Sequence, residues 1–317
     1  MGAAMLRYIA ARLLATIPVM GVVALVVFSI LRLTPGDPAA IIAGDHATTE
    51  QLEQIRRSMG LDQPIYVQFP IWAAQIVRGD LGTSLISGVP VSGMIADRVG
   101  PTLALSTTII AFSVIVAIPL GVLAAWKRGT AVDRLVTGFA VLGFSIPAFV
   151  AAYLLILLFS IYLNWLPVQG YQPLSNGLWP FLQRLILPTL ALSAAYVALI
   201  SRITRTSVLE VMGEDYIRTA RAKGLKESSV LTRHALRNAA VPIVTIIGLG
   251  ITHLISGVVV TESVFNLPGL GRLVVEAVLA RDYPVIQGLI LLFSFVYIII
   301  NLIVDVLYTV FDPRIRY

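Results

Sequence analysis

Long runs of apolar residues, separated by shorter polar segments, dominate the pattern of this chain. A helix needs about 20 such residues to cross the hydrocarbon core of a bilayer. Six runs, of which the fourth is the shortest, lie at Leu13–Leu31, Thr102–Trp126, Leu135–Leu163, Leu185–Ser201, Ala239–Val260 and Val285–Val310. Pro119, Pro147 and Pro242 fall within these runs or at their start and predict kinks, because proline removes a helical hydrogen bond. The pattern predicts an all-α membrane protein with six transmembrane helices.

The composition agrees with a membrane protein and excludes several kinds of site. Hydrophobic residues make up 57% of the 317 and charged residues only 13%, a balance outside the range of soluble globular domains. Cysteine is absent, which excludes disulfides, zinc–thiolate sites and iron–sulfur clusters. His46 and His234 lie far apart in the predicted topology, so we predict no metal site. The basic and apolar N-terminal region lacks a cleavage site after Leu31, which predicts that the first span is retained.

Lysine and arginine are distributed unevenly between the two sets of loops. With the N-terminus on the cytoplasmic side, the inner segments hold 15 of the 23 basic residues, and eight of these lie between Arg202 and Arg237. Loops rich in basic residues remain in the cytoplasm. The distribution therefore predicts cytoplasmic N- and C-termini. It also explains the net charge of +6 without a nucleic-acid partner.

The first outer loop is too long to be a simple connector. We therefore divide the chain into an N-terminal segment with the first span (1–33), an extracytoplasmic loop (34–101) and a five-helix core (102–317). Within the loop, Thr34–Pro38 and Gly79–Ser84 predict two turns. These turns are either structural corners or parts of a surface that meets a periplasmic or lipid-anchored binding protein.

Two helices are predicted inside this loop. Thr48–Gly60 begins with threonine as the N-cap, at Thr48 or Thr49, has glutamate in its first turn and ends at a glycine. The second helix lies within Pro64–Arg78, where apolar residues share one helical face. The residues of this face are Ile65, Phe69, Trp72 and Ile76. We expect the face to rest on the membrane surface or on the other spans.

A polar segment rich in arginine and lysine, residues 214–245, separates the fourth and fifth spans. Glu210–Lys223 can form one helix, and Gly224 can adopt the left-handed conformation that ends it. Ser228 or Ser229 can then cap a second helix that runs to Asn238. An ordinary solvated loop would account for the arginines alone. The helix–glycine–helix hairpin at about 208–238 is long and joined directly to a span. It instead predicts a surface that another protein binds.

This hairpin resembles the EAA loop of bacterial ABC importer permeases, in the version found in the dipeptide, oligopeptide and nickel group. The resemblance extends over nearly the whole chain and rests on ordered motifs: Tyr216, Arg218–Leu225, His234–Ala239, Pro242 and Thr245, with Thr34–Pro38, Gly79–Ser84, Thr261–Phe265, Pro268–Gly271 and Asp312–Arg316. Permeases with the plain motif have Glu-Ala-Ala where this chain has Arg218-Thr219-Ala220. The role of that glutamate is therefore not transferred, although the glycine four residues after Ala220 is present.

The resemblance implies a type I (MetI-like) importer permease in the bacterial inner membrane. In that family the hairpin sits in a groove on a cytoplasmic ATPase. The ATPase-coupling residues implied here are Ala220, Ala222, Lys223, Gly224, Leu225, Lys226 and Glu227. The chain has no G-x-x-x-x-G-K-[ST] motif for nucleotide phosphates, so we expect no catalytic residue and no cofactor in it. ATP and magnesium would bind to two partner ATPase subunits. The remaining partners would be a second, homologous permease and a solute-binding protein.

Small and hydroxyl residues suggest parts of a translocation pathway. Gly248, Thr252 and Ser256 form one stripe of the fifth span, and Ser145 lies in the third. Such a stripe either packs against another helix or lines a polar conduit. Asp305 is the one acidic residue within a predicted span, with Asn301 one turn before it. We interpret Asp305 as a structural polar contact, with a gating or proton role as the alternative.

The combined reading is a non-catalytic permease subunit that forms half of the pathway of an ATP-driven, binding-protein-dependent importer. Peptides of two or more residues are the first cargo we expect. Nickel chelates, glutathione and opine-like solutes are alternatives within the same architecture. A secondary transporter is the alternative from another class. It would need more charged residues within the membrane, and it would not need a hairpin that binds an ATPase.

Overall fold

The computed structural model describes residues 2–33, 39, 48–58 and 62–311. These residues are mostly helical, with an isolated antiparallel bridge between Thr83 and Pro90. The helices are α1 (Gly2–Leu33), α2 (Thr49–Ser58), α3 (Ile65–Val77), α4 (Val91–Trp126), α5 (Ala131–Ser145), α6 (Ala148–Tyr162), α7 (Leu178–Met212), α8 (Asp215–Ala222), α9 (Glu227–Asn238), α10 (Ala240–Val264), α11 (Leu270–Ala280) and α12 (Tyr283–Phe311). Part of α6 (Ile156–Tyr162) and part of α9 (Val230–Ala235) are π-helical.

Four helices of the described chain are long and apolar enough to cross a membrane. They are Ala10–Ile30 within α1, Val91–Trp126, Leu178–Met212 and Tyr283–Val306. Two bent pairs, α5 with α6 and α9 with the first part of α10, bring the number to six if each pair is one span. The all-α prediction is confirmed, and Pro119 lies inside an unbroken α4.

The third predicted span is not one continuous helix. The axes of α5 and α6 meet at 102°, and the break lies at Ile146 and Pro147. Ile146 is extended (φ −95°, ψ 118°), because the ring of the following proline disfavours the helical conformation of the residue before it. The kink predicted at Pro147 is therefore confirmed, and it divides the predicted span Leu135–Leu163 into two helices. A second bend, of 59°, precedes Pro242 between α9 and α10.

The chain divides into two compact units, one of residues 1–100 and 273–298 and the other of residues 101–272 and 299–317. In the first unit the predicted face of α3 packs on a span, since the rings of Phe69 and Trp72 lie 5.4 and 5.5 Å from the ring of Phe28 on α1. Ile65, at the start of this face, is 60% exposed.

The Gly79–Ser84 segment is also part of the first unit and forms a structural corner. Gly79 and Gly82 have φ values of +84° and +81°, a region that favours glycine. The buried hydroxyl of Ser84 donates to Asp282 (2.5 Å), and the backbone N–H of Leu85 donates to the same carboxylate (3.1 Å). The predicted turn Thr34–Pro38, the helix stop at Gly60 and the motif Asp312–Arg316 lie outside the described residues.

The second unit is organised around α7, which packs against α4, α5, α6 and α10. Its largest core cluster contains Leu105, Ile109, Leu185, Leu187, Leu192, Leu254, Val258, Phe265 and Leu267. Glycines let its helices approach closely. A Cβ on Gly121 of α4 would lie 2.6 Å from the carbonyl oxygen of Ser201 on α7. At this position α4 and α7 therefore pack without space for a side chain on Gly121.

Candidate functional site

The polar hairpin begins as a new helix and does not continue α7. Helix α7 ends at Met212, and Glu214 is extended (φ −72°, ψ 147°) before α8 begins at Asp215. The single helix predicted over Glu210–Lys223 is therefore wrong. The break reorients α8 relative to α7, so that the hairpin is a separate helical pair.

Gly224 forms the tip of the hairpin as predicted. Its φ is +79°, and its N–H donates to the carbonyl of Arg221 (2.9 Å), while the N–H of Leu225 reaches the carbonyl of Ala220 (3.3 Å). These bonds satisfy carbonyls at the end of α8. Helix α9 begins after Lys226, whose side chain makes no capping bond, and Ser228 and Ser229 lie inside the helix. The predicted serine cap is wrong.

An ion pair between side chains spans the turn. The guanidinium of Arg221 donates to both carboxylate oxygens of Glu227, at 2.8 Å from Nη2 and 3.2 Å from Nε. The hydrogen bond from Arg221 lowers the pKa of the Glu227 carboxyl, and the same bond raises the pKa of Arg221. This bidentate contact closes the turn across Lys223–Lys226.

A small apolar core lies beneath the turn. Ile217 and Ala220 of α8 and Val230 of α9 are buried together, with Val211 and Met212 of α7 packed against them. Ala220 is only 8% exposed, so it supports the turn from inside and is not part of its surface. Among the predicted coupling residues, Ala220 is therefore the one that lies inside the hairpin.

The remaining predicted coupling residues lie at the surface. Ala222, Lys223, Gly224, Leu225 and Lys226 are exposed, and Glu227 is half-buried by its ion pair. The tip thus carries two lysines beside the apolar side chain of Leu225, which is 41% exposed. The exposed surface of the tip is therefore basic around one apolar side chain.

The second arm of the hairpin is packed on the ends of two spans. Leu231, Ala235 and Ala239 share a buried cluster with Ala125 of α4 and Val208 of α7. Helix α10 follows α9 directly after Ala239. The second arm of the hairpin therefore contacts α4 and α7 and leads directly into α10.

The sequence did not point to an ion pair between α5 and α7. Asp133 is nearly buried and accepts two bonds from Arg205, at 2.6 Å from Nε and 2.9 Å from Nη2, and one from the N–H of Gly129 (2.9 Å). An acidic residue in the first turn of α5, next to a basic loop, was the available signal. Its partner lies 72 positions away, so the pairing could not be inferred from the sequence.

This ion pair borders a cavity of about 530 Å³ between α5 and α7. The lining residues are Val136, Thr137, Ala140, Val141, Phe144, Ser145, Ser201, Arg202, Arg205 and Thr206. Since Asp133 neutralises Arg205, the net positive charge of the cavity comes from Arg202. The cavity combines an apolar wall with one cation and several hydroxyls, an arrangement that suits a small anionic organic molecule.

The predicted pathway residues do not come together in this cavity. Ser145 lines it, whereas a Cβ on Gly248 would lie 2.5 Å from a methyl carbon of Val304, so Gly248 serves close packing of α10 on α12. Thr252 is half-buried and donates to the carbonyl of Leu249 in its own helix (2.7 Å). The side chain of Ser256 lies outside the described part of the structure.

Further polar side chains on α12 and α10 do not line this cavity. Asp305 and Asn301 lie half-buried on α12, one turn apart. His253 is on the exposed side of α10. Among the residues that the structure describes, no three His, Asp or Glu side chains are grouped so as to hold a metal ion.

Membrane-length helices with a polar helical hairpin between two of them define a multi-pass membrane protein. The chain belongs to the family of binding-protein-dependent transport system inner membrane components. Residues 117–317 match this family, and residues 5–106 match the N-terminal part of the same kind of membrane component. The family resemblance seen in the motifs is thereby confirmed.

Two relatives match this chain over nearly their full length, and both are named as permeases. It is 51% identical over 310 residues to a probable peptide ABC transporter permease protein (y4tP) of Sinorhizobium fredii, which covers 98% of this chain and 99% of that one. It is 48% identical over 313 residues to the glutathione transport system permease protein GsiC of Escherichia coli, covering 99% of this chain and all of the relative.

Among solved structures, the inward-facing MetNI methionine ABC transporter shares the fold. The TM-score is 0.57 at 18% identity, over 69% of this chain and 96% of that chain. The type I importer permease fold is thereby confirmed. The protein is a permease subunit of an ABC importer and a multi-pass protein of the inner membrane, and its family works with an ATPase and a binding protein.

Proposed function

We propose that the hairpin couples this permease to a cytoplasmic ATPase, with the exposed tip, residues 222–226, as the docking surface. The observation that carries the proposal is that several contacts constrain the backbone of this tip. Gly224, the Arg221–Glu227 pair and the core around Ala220 hold it in one conformation. A firm hairpin transmits displacement, whereas a flexible loop absorbs it.

The packing of α9 explains how closure of an ATPase pair would move the spans. The arm Leu231–Ala239 contacts the ends of α4 and α7, and α10 continues from it. A push on the tip therefore acts on three helices at once. Glu227 acts within the hairpin by fixing the turn, and the lysines face the ATPase.

The Gly224→Pro variant tests this proposal. Proline fixes φ near −65° and has no N–H, so the tip would lose both its +79° conformation and its bond to Arg221. We expect the variant to enter the membrane in normal amount but to lose co-purification with the ATPase and ATP-driven uptake.

A pair of charge reversals provides the matched control. Lys223→Glu changes the tip, whereas Arg128→Glu makes the same change in another exposed basic turn. We expect loss of ATPase binding only in the Lys223 variant. Wild-type assembly and transport in Gly224→Pro would refute the docking role.

The remaining organisation follows from the same reading. We propose that the N- and C-termini and the hairpin are cytoplasmic, since the inner segments hold most of the lysine and arginine. The chain pairs with a second, homologous permease and two ATPase subunits. It is itself non-catalytic and binds no cofactor, and ATP and magnesium belong to the ATPase chains.

The cargo we propose is a short peptide, with glutathione as the second candidate. Full-length relatives are described as peptide and glutathione permeases, at 51% and 48% identity. The cavity beside Ser145, with Arg202 in its wall, suits a small molecule that carries a carboxylate, and we assign it to the pathway. Uptake of labelled di- and tripeptides and of labelled glutathione, each competed by the other unlabelled solute, separates the two candidates. Uptake of neither would refute this cargo assignment and leave the coupling proposal intact.

A further inference from the structure

A carboxylate is buried at the far end of α10 from the hairpin. Glu262 lies in the last turn of α10 and is 0% exposed. Burial of a carboxylate is unfavourable unless hydrogen bonds compensate the lost hydration. Its contacts therefore indicate what holds this end of the helix.

Glu262 bridges two other helices. Its Oε1 accepts a bond from the hydroxyl of Thr102 on α4 (2.6 Å), and its Oε2 accepts one from the backbone N–H of Arg272 in the first turn of α11 (3.0 Å). The hydroxyl of Thr102 in turn accepts a bond from the N–H of Leu270 (2.8 Å). Together the two side chains satisfy N–H groups that the start of α11 leaves free, where a negative charge is also favoured.

Two glycines make this arrangement possible. A Cβ on Gly269 would overlap the carboxylate of Glu262, and a Cβ on Gly271 would lie 2.6 Å from the Cα of Val259. The Pro268–Gly271 motif, which the sequence offered only as a resemblance, is therefore the complement of the buried carboxylate. The close approach requires glycine, because any side chain would occupy the space of the carboxylate.

The loop between α10 and α11, residues 265–269, is packed and not free. Phe265 and Leu267 are 2% and 1% exposed and belong to the main core cluster. The N–H of Leu267 donates to the carbonyl of Glu262 (2.9 Å), and the carbonyl of Phe265 accepts from Gly170 (3.0 Å). A backbone hydrogen bond thus joins the loop to the last turn of α10.

We propose that Glu262 is a positioning residue that ties this loop and the start of α11 to α4 and α10, so that motion imposed on the hairpin reaches the opposite face of the membrane. Helix α10 has 25 residues and a rise of about 37 Å, and it joins the hairpin at one end to Glu262 at the other. Without the carboxylate contact, the end of α10 could move while α4 and the start of α11 stay in place. The inference rests on the proposed function of the hairpin.

Two variants of Thr102 test this link with little change in volume. Thr102→Ser keeps the hydroxyl, whereas Thr102→Val removes it and leaves Glu262 and the N–H of Leu270 without that partner. With the assembled complex in nanodiscs, we expect wild-type basal ATPase activity in both variants. Stimulation by the loaded binding protein should fall about tenfold in the valine variant only, the effect of one hydrogen bond to a charged group.

A second measurement follows the loop directly. The chain has no cysteine, so a Leu267→Cys reporter labels at one buried position. We expect maleimide to react about tenfold faster with this cysteine when Thr102→Val is present than when Thr102→Ser is present. This readout does not depend on transport and applies even if the valine variant assembles poorly.

The outcomes separate this inference from the proposed function. Equal ATPase stimulation and equal labelling in the two Thr102 variants would overturn the role of Glu262 while leaving the hairpin proposal untouched. A wild-type complex that lacks an ATPase altogether would instead refute the hairpin proposal, and the labelling ratio would still decide whether Glu262 holds the loop.

Discussion

The Asp133–Arg205 pair offers the sharpest prediction, because its two partners differ in burial. The side chain of Asp133 is 7% exposed and that of Arg205 is 27% exposed, next to a cavity that water can enter. Arg205→Met would leave the buried carboxylate with the N–H of Gly129 as its remaining bond from this group of residues. An uncompensated buried charge costs about 3–5 kcal/mol.

The reciprocal change should cost less. Asp133→Asn removes the negative charge, but the guanidinium of Arg205 can turn to the cavity and be hydrated. The loss is then that of a charge-assisted hydrogen bond, about 1.5–3 kcal/mol. The double variant has no bare buried charge, so we expect it to be more stable than Arg205→Met alone.

Denaturant unfolding in mixed micelles would measure these free energies. The exposed pair Arg218–Asp215, with side chains 76% and 93% exposed, provides the control, since surface pairs contribute about 0–1 kcal/mol. The reasoning would be refuted if Arg205→Met were no more destabilising than Asp133→Asn, or if the double variant were the least stable of the three.

Two further predictions concern helix contact and pH. Gly121→Ala should lower the free energy of unfolding by about 1–3 kcal/mol, because its Cβ overlaps α7. Gly138→Ala should raise it by about 0.5–1 kcal/mol, because its Cβ would meet no atom within 4 Å. Equal changes in the free energy of unfolding of the two variants would contradict this reasoning. Because the bond from Arg221 lowers the pKa of Glu227, the pair stabilises the turn above the unfolded pKa of about 4.3, and this contribution is lost as the pH falls through the lower folded value. Glu227→Gln should therefore speed amide exchange of the turn relative to wild type at pH 7, with the ratio shrinking at acid pH; a ratio independent of pH would exclude the ion pair as the cause.

Some of the candidate site could be predicted because its determinants are local. Gly224 at the hairpin tip follows from the need for a left-handed residue between two helices, and the structure places it at φ +79°. The break at Gly213–Glu214 and the burial of Ala220 could not be read in the same way. Both depend on how α8 folds back on Val230 of α9, a contact between segments.

The sequence alone determined that the chain is a helical membrane protein with a polar hairpin between two spans, since the length of apolar runs, the charge of the loops and the order of motifs are properties of neighbouring residues. Only the tertiary structure decided which polar groups share a partner. Glu262 meets Thr102 across 160 positions, and Asp133 meets Arg205 across 72. The apolar patterns of the spans resemble one another, so they do not specify which polar groups meet when the helices pack closely. A buried carboxylate is stable only in an arrangement that supplies it with hydrogen-bond partners.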